Sequence, residues 1–137
     1  LHAVAGAGVV EADQLGRPRG EDAASRVQGV AQLLTVTTEA PALLVAAMVH
    51  AELLTAAPFA SHNGIVARAA ERLVLAARGV DEKSLVVPEA GHLANRAAYE
   101  SNLQGYAEGG RNGVHAWALY AAEAFAAGAE ASPLRGR

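Results

Sequence analysis

The stretch PALLVAAMVHAELLTAA, residues 41–57, constrains this chain more than any other. Its spacing and composition predict a helix, and that helix is apolar almost all round. A helix of this kind has no face to offer water, so it belongs at the centre of a fold with other elements on every side. No segment of the chain alternates with period two, and no internal repeat is visible, so the partners must be helices as well. The fold class read from the sequence is therefore all-α, a bundle around a central buried helix.

Composition supports this reading and excludes several functions. The 137 residues suit one domain, 52% of them are hydrophobic, and only 4% are aromatic. Alanine supplies much of the apolar fraction and is the best helix former, so close helix packing through small side chains is expected. A net charge of −3 argues against general nucleic-acid binding, for which a basic face is the rule. Lys83 is the single lysine among eleven cationic residues, a bias expected of a high-GC bacterial genome. The absence of cysteine rules out disulfides and thiolate metal sites. No apolar run is long enough to span a bilayer, so no membrane partner and a cytoplasmic location are expected. Leu1 in place of Met, and LHAVAGAGVVEADQ without a basic leader, read as a processed form or the ordered part of a longer protein.

Along the chain, residues 1–15 are read as a short helix weakened by Gly6 and Gly8, followed by a turn at LGRPRGED. A second helix starts at Glu21 with Val27, Val30 and Leu34 on one face. The central helix follows from Pro41, and another runs from Gly64 to Arg78 with Val66, Ala70, Leu73 and Ala77 in register. Gly79 is a helix stop. DEKSLVVPEAGHL, residues 81–93, is read as a loop with at most a turn of helix after Pro88. Asn95 caps a helix through Tyr106, EGGRNG breaks it, and a last helix carries Val114, Trp117, Ala121 and Phe125 until Gly128. One domain over residues 1–130 and a frayed tail over 131–137 complete the outline.

Between the central helix and the next lies APFASHNGIVAR, residues 57–68. The first N–H groups of a helix have no internal partner and the dipole there favours an anion. Asn63 and Gly64 at such an entrance suit a phosphate, with Arg68 one turn on for a charge-assisted contact. The same residues equally suit an ordinary N-cap by Asn63 or Ser61.

The order of these features resembles the Fic (Fido) family, whose motif reads HPFxxGNGRxxR between two helices of an α-helical bundle. Pro58, Phe59, Asn63, Gly64 and Arg68 stand in register with it, and GRPR, residues 16–19, resembles the Gly-x-x-Arg after the family's first helix. The resemblance implies a Fic-like bundle with a loop–helix anion motif, and the family's members typically move AMP from ATP onto a target hydroxyl. The departures bear on activity. Ala57 stands where the family has its catalytic histidine, Ser61 where it has the acidic magnesium ligand, His62 where it has a phosphate-loop glycine, and Ile65 where it has the first arginine. Loss of a general base alone typically costs ~10²–10⁴-fold, so standard AMP transfer is not expected. His50 lies two turns before Ala57, roughly 10 Å away by helix rise, which suits a structural role. His62, inside the loop, is the remaining candidate base.

Other constellations read more plainly. Glu89 and His92 have Glu-x-x-His spacing, but dimetal bundles need two such pairs on long helices, so a solvated loop pair is expected. Glu52 lies close to His50 in sequence without a motif. Arg68, Glu71 and Arg72 read as a charged surface strip, Trp117, Tyr120 and Phe125 as core or an oligomer surface, and His2 and His115 as residues without partners. The expectation is thus a degenerate Fic-like pseudoenzyme with a regulatory or protein-interaction role, through a protein partner or self-association. No cofactor is expected; Asn63, Gly64 and Arg68 would give at most residual binding of ATP or another phosphate-containing ligand, with no metal site and magnesium doubtful. The alternative is a nucleotidyl- or phosphoryl-transferase with relocated groups such as His62.

Overall fold

The computed structural model of the chain describes residues 1–134, which form seven helices and no strand. They are α1 (His2–Ala5), α2 (Glu21–Thr35), α3 (Ala42–Ala56), α4 (Asn63–Ala77), α5 (Pro88–Ala94), α6 (Arg96–Glu108) and α7 (Gly110–Glu130). No helix among the described residues is long and apolar enough to cross a membrane. Residues 135–137, part of the tail expected to fray, lie outside the described residues.

The all-round apolarity of α3 is explained by two cores on different sides of it. Val45, Ala46, Val49 and Leu53 face α2 and α4, where they meet Val30, Val66, Ala67, Ala70, Val74 and Leu75. Ala47 and Ala51 face α6 and α7, where they meet Tyr106, Trp117, Tyr120, Ala121 and Ala124. Trp117 is fully buried and donates its indole N–H to the Ala47 carbonyl at 2.7 Å, which ties α7 to the middle of α3. A polar edge so deep in a core must have a partner, because an unmade hydrogen bond there costs about 1–3 kcal/mol.

Small residues let the outer helices approach closely. A Cβ on Gly91 of α5 would overlap the backbone of Ala124 in α7, and one on Gly113 of α7 would overlap the Gly105 carbonyl of α6. The same constraint corrects the expected end of the last helix. Gly128 continues α7 rather than stopping it, and its missing side chain admits the Val87 carbonyl just before α5. Likewise EGGRNG breaks the chain only at Gly109, where φ is +85°, and α7 already runs from Gly110.

Other expectations shift for similar reasons. The first helix is only four residues long. Leu34 is exposed while Leu33 packs on the core, and Leu73 is exposed because the buried stripe of α4 runs through Val66, Ala67, Ala70, Glu71, Val74 and Leu75. The turn of helix allowed after Pro88 in the segment read as a loop extends over seven residues as α5, held by its glycine against α7.

Candidate functional site

Two regions along α3 and α4 bring polar groups together. The first is the loop from Ala57 to His62. Ala57 ends α3 in the left-handed region (φ +41°, ψ +55°), and His62 enters α4 in the same region (φ +60°). Both conformations are unfavourable for residues with a Cβ, by about 1–2 kcal/mol each, so the surroundings must hold them. Arg19 supplies part of that hold, with its N–H on the Pro58 carbonyl at 2.7 Å and its guanidinium on the Ala57 carbonyl at 3.0 Å. Phe59 is buried and stacks on the His2 ring at 4.2 Å, while His2 Nδ1 accepts the Gly16 N–H. His2 and Arg19 thus anchor the loop from the N-terminal segment, and His2 is not the partnerless residue expected.

Asn63 closes the loop on itself. Its Oδ1 accepts the Phe59 N–H at 2.9 Å and its Nδ2 donates to the Phe59 carbonyl at 3.0 Å. These two bonds hold the side chain on the Phe59 backbone, and it makes no cap bond to α4. His62 holds the N-cap position without a side-chain cap bond, so the N–H groups of the first turn lack an intrahelical partner. Ser61 Oγ lies 2.6 Å from His62 Nδ1. Nucleophile and base are within reach of each other, but among the described residues no third group bonds the His62 ring. Ala57 presents only a methyl group.

Arg68 connects this helix start to a cavity. A Cβ on Gly64 would lie 3.0 Å from Arg68 Nη1, so the guanidinium folds back over the first turn of α4 into space that glycine leaves open. Arg68 also lines a cavity of about 370 Å³ with Glu89, His92, Arg96, Tyr99 and Glu100. That volume falls in the range of small-ligand pockets. Glu89 is paired with Arg72 and Glu100 with Arg96, both at 2.8 Å. Among the described residues Arg68 has no carboxylate partner.

The second region is a buried cluster beside that cavity, built from residues that no sequence motif joins. Glu71, expected on a charged surface strip, is 2% exposed, and it accepts from His50 Nδ1 at 2.6 Å. His50 Nε2 meets the Tyr99 hydroxyl at 2.8 Å. His92, expected in a solvated pair with Glu89, is instead buried, with Nδ1 on the Tyr120 hydroxyl at 2.8 Å. Its Nε2 points towards Glu71 Oε2 at 3.6 Å, beyond hydrogen-bond range, and is left buried without a partner. Glu89 turns to Arg72 with a two-pronged contact, and Glu52 turns away from His50 to Arg26 and Tyr106. Trp117 stands edge-on to His50, and Tyr99 and Tyr120 flank His92.

Electrostatics in the cluster favour an ionised Glu71. Burial alone would raise its pKa, but the hydrogen bond from His50 and the nearby ring of His92 outweigh that and hold it down to about 2. Burial raises the Tyr99 and Tyr120 hydroxyls above their ordinary range, so both stay protonated and serve as hydrogen-bond partners. The cluster was hidden because its members lie far apart in the chain: Glu71 is 21 residues from His50 and Tyr120 is 28 from His92. One signal was available, namely that Glu71 shares the four-residue spacing of Ala67 and Leu75 on the buried stripe of α4.

The predicted site residues therefore divide. Gly64 and Arg68 lie together at the start of α4, the Asn63 side chain is held on the Phe59 backbone, and His62 contacts Ser61 in the loop. No protein-family model, curated protein or solved structure matches the chain.

Proposed function

We propose that this chain is a degenerate Fic-like domain that binds a phosphate-bearing ligand without transferring it, as part of a regulatory or protein-interaction role. One observation carries the reading: the guanidinium of Arg68, without a carboxylate partner, lies over Gly64 at the open first turn of α4 and also lines the cavity. Helix start and arginine then act on the same anion, one through N–H dipoles and the other through a charge-assisted contact. The methyl group of Ala57 at the loop supplies no base, which supports binding without transfer. Leu93, exposed on the cavity wall, gives a partner chain an apolar contact beside the ligand, and Ile65 is a second exposed apolar side chain in the first turn of α4.

Calorimetric titration with ATP, with and without magnesium, tests this. Saturable binding is expected, and Arg68→Ala should weaken it by roughly 10- to 100-fold, as befits a hydrogen bond to a charged group. Binding that Arg68→Ala leaves unchanged, or no binding at all, would sink the proposal. The contact between Ser61 and His62 favours a second reading, group transfer with a relocated base. Labelled ATP incubated with the protein and a lysate would reveal it, and it requires that transfer disappear in His62→Ala.

A further inference from the structure

The bound-anion reading makes no use of the buried His50–Glu71–His92 cluster. One ligand atom from each of the three residues falls within 4.8 Å of the others, and all three side chains are at least nine-tenths buried. The bond between His50 and Glu71 satisfies the carboxylate without help. It does not account for His92, whose Nε2 is aimed at the same oxygen, is sealed from water, and bonds to nothing. A buried polar atom of this kind costs free energy unless something fills the gap.

We infer that His50, Glu71 and His92 form a binding site for one divalent transition cation of the zinc type. Two imidazoles and one carboxylate are a known ligand set for such ions, and three protein ligands leave a further position open. The outer atoms are arranged as a metal site needs. His92 has its second nitrogen fixed by Tyr120 and His50 has its second nitrogen fixed by Tyr99. Such partners orient imidazoles and set their tautomers. A tyrosine hydroxyl both donates and accepts, so Tyr99 can accept from His50 Nε2 when Nδ1 gives up its proton to bind the ion. The spacing also suits an ion. Tetrahedral ligands about 2.0–2.1 Å from zinc lie roughly 3.3 Å apart. The 3.6 Å between His92 and Glu71 is close to that, and the 2.6 Å between His50 and Glu71 must widen. His92 and Tyr99 line the cavity as well as the cluster, which gives the ion a route inwards.

The test uses the whole chain, purified without a histidine tag, stripped with chelator and titrated with zinc chloride or cobalt chloride. One equivalent should bind, raise the melting temperature, and give cobalt the visible bands of a low-coordinate site. Tyr120→Phe, which removes only a hydroxyl, should weaken zinc by about 10- to 100-fold, and His92→Gln should abolish the cobalt bands. His62→Ala should leave zinc affinity as it was. The inference is overturned if the folded wild-type protein binds no ion. It is overturned equally if Tyr120→Phe binds zinc as wild type does, or if His62→Ala removes the binding. Should His92→Gln fail to fold, the cobalt spectrum of the wild type and the Tyr120→Phe affinity decide the matter alone. The anion titration is independent of both, because it is read through Arg68.

Discussion

The loop at Ala57–His62 joins α3 to α4, and the cluster at His50–Glu71–His92 draws on the middles of those two helices and on α5, yet the two regions use polar residues in opposite ways. In the loop, Asn63 and Arg19 spend hydrogen bonds on the backbone of Ala57, Pro58 and Phe59, and His2 stacks on the Phe59 ring. In the cluster, two histidines and a glutamate converge, and the surrounding helices hold them without strained backbone. The loop keeps the spelling of a phosphate motif while its asparagine works as a clasp. The cluster spells nothing in sequence and concentrates the buried, ionisable chemistry. Motif letters therefore locate a shape here, and convergence in space locates reactive groups.

The comparison predicts a graded response to mutation, checked by chemical denaturation. Glu71→Ala should cost most, about 3–5 kcal/mol, because it strands a buried histidine partner. Equal effects of Glu71→Ala and of Ser61→Ala, the latter expected within ±0.5 kcal/mol, would break the distinction between the two regions. Asn63→Ala removes both bonds of the clasp and should cost about 1–3 kcal/mol. A cost near zero would mean that the loop holds its path without Asn63. Ala57→Gly should stabilise, by up to about 1 kcal/mol, because glycine accepts the left-handed conformation freely. Destabilisation there would show that the Ala57 methyl group contributes packing instead.

The smallest effect concerns pH. Burial would raise the Glu89 carboxyl, but Arg72 outweighs it and holds the pKa below the ordinary value of 4.5. A depressed carboxylate pKa contributes stability that is complete above that ordinary value and is lost as pH falls through the folded value. The pair is partly exposed, so screening keeps its share small. Arg72→Ala should therefore lower stability slightly at neutral pH and leave it unchanged at low pH, which flattens the acid limb. A larger loss at neutral pH would assign Arg72 a packing role.

Much of the fold was legible because its causes are local. The all-round apolar helix, the left-handed stop at Gly79 and the core face of Trp117 follow from spacing and backbone chemistry alone. What escaped depends on the neighbour across the interface. Gly128 looks like a stop until the Val87 carbonyl is seen against it, and Pro88–Ala94 looks like a loop until Gly91 meets Ala124. The candidate site divides in the same manner. Gly64 and Arg68 were legible one turn apart on a helix. The burial of Glu71 and the convergence of His92 on it required the packing of α4 on α3 and of α5 on α7.

Backbone amide chemical shifts recorded during titration with ATP test the central claim most directly, because they report where an anion sits as well as whether it binds. Saturable shifts are predicted at Gly64 and Ile65 in the first turn of α4 and around Tyr99 on the cavity wall, all lost in Arg68→Ala. Shifts that cluster away from Arg68, or none at all at saturating ligand, would contradict the account.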